Sequence, residues 1–149
     1  MNDTSVPEGF VPIKRVAPFL DMIGPIYVKS VGKKRIVAIR LAEKHMNMRN
    51  IAHGGTLVTI ADSALGINLS YYEEPPHPMV TVSLTTDFLQ PAKIGDWLEA
   101  HVTVQRLGVH LAFASCNLMV GEKCVLRASG VFMILAGVAQ IPGKERFDG

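Results

Sequence analysis

From residue 97 onward, apolar and polar side chains alternate with a period of two: Leu98, Ala100, Val102 and Val104 against Glu99, His101, Thr103 and Gln105. That is the pattern of a strand with one buried and one more polar face. Four such runs, at 79–89, 97–107, 111–120 and 124–135, are rich in Val, Thr, Phe and Leu and are separated by short breaks at 91–95, Gly108 and Gly121. They predict an antiparallel meander. Two earlier runs, 26–31 and 35–41, flank Gly32-Lys33 and predict a hairpin.

Between these sets the period changes. From Thr56 to Tyr72, at about 100° per residue, Leu57, Ile60, Ala61, Ala64 and Ile67 fall on one side, widened by Leu65 and Leu69. Thr59, Asp62, Ser63 and Gly66 line up on the other, so the segment reads as a nearly all-buried helix with one small polar stripe. Glu73-Glu74-Pro75-Pro76-His77-Pro78 ends it, because prolines cannot continue a helix. Upstream, 16–23 predicts a short helix stopped by Gly24-Pro25, and 1–15, with Pro7 and Pro12, an irregular arm. An apolar sheet face needs a cover, and the only long apolar helix is the central one. An α+β fold, with an antiparallel sheet curled around one long helix, is the economical solution. The chain divides into an arm, short helix and first strand over 1–34, a core over 35–135 and a tail over 136–149, all within one domain.

Composition narrows the function. The formal charge of +2 comes from scattered Lys and Arg with no like-charged run, which argues against nucleic acid and allows an anionic small molecule. No stretch approaches the roughly 20 apolar residues needed to cross a bilayer, and residues 1–9 are polar, so the protein is expected to be soluble, cytoplasmic and without membrane insertion. A hydrophobic content of 48% in a small domain points to apolar surface covered by a partner subunit. Cys116 and Cys124 read as reduced structural thiols; with a turn at Gly121-Glu122, Cys116 faces Arg127 and Cys124 faces Met119. The five histidines show no zinc-type spacing with Cys or Glu, and no metal site is expected. Met46, Met48 and Met79 read as core, with an adaptable pocket lining as the alternative.

The chemistry converges on Asn47-Met48-Arg49-Asn50-Ile51-Ala52-His53-Gly54-Gly55, which runs into the helix. Two glycines let the backbone approach a ligand and then start a helix whose first amides have no partner and attract negative charge. Each residue also has a structural reading: His53 as a loop histidine, Gly54 and Gly55 as turn residues, Asn47 as a brace, Asn50 in a left-handed conformation, Asp62 paired to Arg or Lys. Taken together, start amides, a carboxylate and an orienting Asn are equipment for acyl transfer to water.

These residues resemble the hotdog-fold thioesterases, specifically the phenylacetyl-CoA and general acyl-CoA thioesterase branch. That branch carries Asn-x5-His-Gly-Gly followed by Asp nine residues after the His, matched here by Asn47, His53, Gly54, Gly55 and Asp62. Phe88 to Asp96, 108–114 and 130–132 are also similar, so the likeness spans about 35–135. It implies hydrolysis of acyl-CoA thioesters without metal or cofactor, by dimers often paired into tetramers. By the same resemblance Asp62 is the nucleophile or general base and Gly54 supplies the amide that polarises the carbonyl. His53, Asn47 and Thr81 support the thioester and water. Gly55 and the scattered cations Lys93, Arg106, Lys123 and Arg127 are candidates for binding substrate, the cations through the CoA phosphates. The chain departs from the branch at Asn50 for a common Gly, at Val109-His110 for a basic residue, and at Gln90 for an Arg. A non-catalytic acyl-CoA sensor and a hydratase or dehydratase on the same fold are the competing readings. Helix geometry adds one expectation: Asp62 lies seven residues beyond Gly55, about 10 Å along the axis, so one thioester carbon cannot touch both. A second copy of the helix, antiparallel about a two-fold axis, brings the two ends together.

Overall fold

The computed structural model describes residues 5–14 and 17–136. In chain order the elements are β1 (Val11–Pro12), α1 (Pro18–Ile23), β2 (Tyr27–Val31), β3 (Lys34–Arg40), a 3-10 turn (Glu43–His45), α2 (Gly54–Ser70), β4 (Met79–Phe88), β5 (Trp97–Leu107), β6 (Leu111–Val120) and β7 (Lys123–Ile134). All seven strands form one antiparallel sheet, and α2 packs against β3, β4, β5, β6 and β7. Ile60, Leu65 and Leu69 of α2 are fully buried against Ile39, Leu98, Leu118 and Leu126 of the sheet, and each contributes about 1.5–3 kcal/mol by leaving water. The opposite stripe is more open than expected: Thr59, Asp62, Ser63 and Gly66 are all half-buried, and so is Ile67, expected on the apolar side, which with Val58 packs partly against the core. No helix among the described residues is long and apolar enough to cross a membrane. The expected tail falls, beyond Ala136, outside the described residues.

The simple meander is not what forms. β5, β6 and β7 follow one another as predicted, but the order is β1-β2-β3-β5-β6-β7-β4, so β4 pairs with β7 at the far edge and β3 takes the place beside β5. Alternation shows that a strand has two faces and says nothing about its neighbours. The crossing chain at 89–96 is stitched down by its backbone: Leu89 N–H and Gln90 N–H donate to Val125 O, Ala52 N–H donates to Ala92 O, and Leu41 N–H donates to Asp96 O. This crossover therefore runs beside the start of α2.

Irregularities in register also escape a period-two reading. Val125 is an extra residue between the pairs Leu118↔Leu126 and Met119↔Cys124, so Cys116 faces Ala128 instead of Arg127, while Cys124 faces Met119 as expected. Both thiols are free, and burial, with a smaller contribution from Cys124, pushes the Cys116 thiol up to about 12. The arm is less irregular than its prolines suggest: Val11 and Pro12 pair with Val28 and Tyr27. Phe10 packs edge-on against Trp97 at 5.2 Å, and the Arg40 guanidinium lies over the Trp97 ring, 4.9 Å from its centroid. Met46 and Met79 pack against the core, but Met48 is fully exposed.

Asn68, which the periodicity places among apolar residues, is 2% exposed and ties α2 to β3. Its Oδ1 accepts from Arg35 N–H at 2.9 Å, and its Nδ2 donates to Arg35 O at 2.9 Å and Ala64 O at 2.8 Å. Pairing of β3 with β5 stops at Val37, so the side chain stands in for the missing strand. Asn68→Ala leaves the Arg35 backbone groups unpaired in a low-dielectric site and should cost about 2–4 kcal/mol. Urea unfolding should show a lowered midpoint with an unchanged slope; an unchanged midpoint would refute this account.

Candidate active site

The loop before α2 is closed by Asn47. Its backbone N–H donates to Ile51 O at 2.8 Å, its O accepts from Asn50 N–H at 3.0 Å, and its Oδ1 accepts from Arg49 N–H at 2.9 Å and Ile51 N–H at 3.4 Å. The bracing role considered for Asn47 is therefore real, and its Nδ2 is a separate resource. Asn50 sits at φ 61°, the left-handed conformation that Asn tolerates. α2 begins at Gly54, earlier than the apolar period indicated, because His53 caps it: Nδ1 accepts from Gly55 N–H at 2.8 Å, and His53 O accepts from Thr56 N–H at 2.9 Å and Leu57 N–H at 3.3 Å. Among the described residues Gly54 N–H is then the one first-turn amide with no acceptor. The glycines supply space: a Cβ on Gly54 would stand 3.1 Å from the Phe88 ring, and one on Gly55 would stand 3.0 Å from His53 Nδ1.

Two cavities flank this helix. One of about 430 Å³ lies at its start and is lined by Asn47, Gly54, Leu57, Phe88, Gln90 and Pro91. The other, of about 440 Å³, lies farther along, where Thr81 Oγ1 donates to Asp62 Oδ1 at 2.7 Å. A hydroxyl donating to a carboxylate at this length is a strong, charge-assisted bond. Among the described residues Asp62 makes no ion pair with a Lys or Arg. One protomer thus brings Asn47, His53 and Gly54 together, and Asp62 with Thr81, but keeps the two groups apart. Eight residues of helix separate Gly54 from Asp62, about 12 Å.

The family profile described as the thioesterase superfamily matches residues 49–124, which include the helix start, Asp62 and Thr81. A Pseudomonas aeruginosa protein provisionally named an esterase is 49% identical over 129 residues, covering 86% of this chain and 96% of that one. The chain belongs to the thioesterase superfamily. Mouse acyl-coenzyme A thioesterase 13 is 32% identical over 91 residues, 61% of this chain and 64% of that protein. In structure, the PaaI protein of the E. coli phenylacetic acid degradation operon superposes with a TM-score of 0.73 at 22% identity, covering 80% of this chain and 86% of that one, and shares the hotdog fold.

The basic residues of this thioesterase superfamily member are not one cluster. Lys93 is exposed and directly follows Pro91 and Ala92, which line the first cavity. Lys123 Nζ donates to Pro91 O at 2.8 Å and Arg127 pairs with Asp87 at 3.0 Å, so both are engaged in holding the crossover and the sheet edge. Arg106 lies near the opposite end of β5, nine residues from Trp97 or about 30 Å along the strand, and does not join the others within a protomer. Among the described residues no three His, Cys, Asp or Glu side chains come together to hold a metal ion.

Two contributors were not legible in the sequence. Phe88, which walls Gly54, was marked only as the start of the similar stretch 88–96, with nothing to place it at the helix start. His45, 2% exposed, gave no motif at all. Its Nδ1 accepts from Ala42 N–H at 2.9 Å, so Nε2 carries the proton and donates to Ile23 O at 2.6 Å; its backbone O accepts from His53 N–H at 2.8 Å. Burial holds the His45 pKa below its ordinary value, with the Ile23 hydrogen bond opposing and nearby Lys44 reinforcing the shift. A folded pKa below the unfolded value means that stability is present above about pH 6.5 and is lost as pH falls toward the folded value. Melting temperature should therefore drop on acidification below about pH 6.5, and His45→Asn should flatten that slope while lowering stability at neutral pH. Identical slopes for the two proteins would remove His45 as the titrating group.

Proposed function

We propose that this protein hydrolyses acyl-CoA thioesters to free acid and CoA in the cytoplasm, at sites built between two subunits. The observation that carries the reading is the division of the machinery into two half-sites about 12 Å apart on one helix, beside an unpaired sheet edge. β4 is that edge, ten residues long, with Val80, Val82 and Phe88 exposed. An edge of this kind invites a second strand. Pairing β4 with its own copy about a two-fold axis through its middle sets its Met79 end beside the partner subunit's Phe88. Asp62 and Thr81 then meet the helix start that Phe88 walls, and two equal sites result. Val80, Met133 and Leu111 are cross-strand neighbours forming an exposed apolar row on the outer face, which supports further pairing of dimers into a tetramer.

In each site Thr81 holds Asp62 through Oδ1 and, with its own lone pairs, a water. Asp62 takes the water's proton as the oxygen attacks the thioester carbon, and the developing oxyanion is held by Gly54 N–H of the partner subunit. The carbon–sulfur bond then breaks and the proton passes to the CoA thiolate. Asn47 offers Nδ2 to the carbonyl from the same side as Gly54, and Lys93 at the rim faces the CoA phosphates. The acyl-CoA class is also supported by the name of the mouse relative, an acyl-coenzyme A thioesterase.

Asp62→Asn keeps side-chain volume and removes the base, so hydrolysis should fall by about 100- to 10,000-fold, read as free-thiol release, with the melt unchanged. Near wild-type turnover by the folded variant would sink the assignment, and wild-type binding without thiol release would favour the sensor. The shared site has its own test. Asn47→Asp retains the Oδ1 brace and loses the Nδ2 donor, so mixing it with Asp62→Asn subunits should create dimers with one doubly damaged and one intact site. Random exchange leaves about a quarter of all sites intact, and activity should climb toward that fraction of wild type. Mass-verified exchange with no recovery would exclude sharing.

A further inference from the structure

The segment before the superfamily match carries a helix that packs against the core through two half-buried side chains, Leu20 and Ile23. α1 is six residues long and has no buried residue; Phe19 is 59% exposed and Met22 74% exposed. A helix this short is not stable by itself. It is pinned at its carboxyl end, where His45 Nε2 donates to Ile23 O at 2.6 Å and Lys44 Nζ donates to Gly24 O at 2.5 Å. Pinned there, it brings Ala17, Phe19 and Leu20 to the cavity of about 440 Å³ that contains Asp62 and Thr81.

This cavity and the one at the helix start are lined by different elements. Exposed Lys93 directly follows Pro91 and Ala92, which line the helix-start cavity. Among the described residues the Asp62 cavity is lined by Ala17, Phe19, Leu20, Val58 and Leu84 around a few hydroxyls and one carboxylate. A thioester held between Asp62 and the oxyanion amide therefore meets an apolar wall on the Asp62 side.

Building on the hydrolase reading above, we propose that α1 is the acyl-selecting wall, with Phe19 and Leu20 contacting the tail of the acyl group and setting its greatest length. The group it selects is uncharged and apolar. A terminal carboxylate would lose its hydration against Phe19 and Leu20 and face Asp62, a like charge.

The test is kcat/KM for acetyl-, butyryl-, hexanoyl-, octanoyl-, lauroyl-, palmitoyl- and glutaryl-CoA with the full chain. Phe19→Ala and Leu20→Ala should raise the ratio of the longest to the shortest substrate by about tenfold or more, since one methylene in an apolar pocket is worth about that factor. Leu20→Trp should lower the same ratio, which separates a filled pocket from loosened folding, and glutaryl-CoA should rank below hexanoyl-CoA throughout. Uniform scaling of all substrates, or ratios moving the same way for truncation and enlargement, would overturn the wall. If the wild type releases no thiol from any member, the hydrolase reading falls. Calorimetric affinities of the same acyl-CoAs then decide the wall separately: a rise in the palmitoyl-to-acetyl affinity ratio for Phe19→Ala supports it, and an unchanged ratio refutes it.

Discussion

Helix α2 carries two demands that pull against each other. One face must be buried to hold a seven-stranded sheet in its curl, while the other carries a carboxylate and the helix start leaves an amide without an acceptor among the described residues. The helix meets both by keeping its large side chains, Ile60, Leu65 and Leu69, on the sheet side and small ones, Thr59, Ser63 and Gly66, beside Asp62. Burial fixes the rotation of the helix, and the rotation fixes where the chemistry points. A carboxylate on the wrong side would be driven into the apolar interior at a cost of several kcal/mol.

The amino-terminal end of α2 is positioned by a chain of polar contacts more than by packing. Ile23 O, the His45 ring, the His45 carbonyl and the His53 N–H form a continuous path from α1 to the helix cap. His53 then consumes Gly55 N–H, and Gly54 N–H is left without an acceptor among the described residues. The crossover at 89–96 closes the other side through Ala52 N–H to Ala92 O and through the Phe88 ring. Neutral, buried His45 works here because each ring nitrogen has a fixed backbone partner, one donor and one acceptor. A second proton would set two donors against each other at Ala42.

Elements whose identity depends on local periodicity could be read from the chain alone. Alternation at Leu98 to Val104 marked β5, the 3.6-residue period marked α2, and the spacing of Asn47, His53, Gly54 and Asp62 marked one thioesterase pattern. The superfamily match agrees with that pattern. The Asn-x5-His-Gly-Gly spacing was informative because a tight loop and one helix hold all of it, so that sequence distance nearly equals spatial distance.

What the sequence determined by itself, then, is every strand and helix except β1 and the 3-10 turn, and the residues along the loop and α2, since these follow from repeat lengths of a few residues. Only the tertiary structure decided that β4 lies beside β7, that Phe88 walls Gly54, that Val125 shifts Cys116 onto Ala128, and that Arg106 stands away from Lys93. It also decided that α1 reaches the Asp62 cavity and that His45 pins it. Those are contacts between residues tens of positions apart. They depend on how whole apolar faces are buried together and how stray backbone groups find partners, and neither quantity leaves a local period to read.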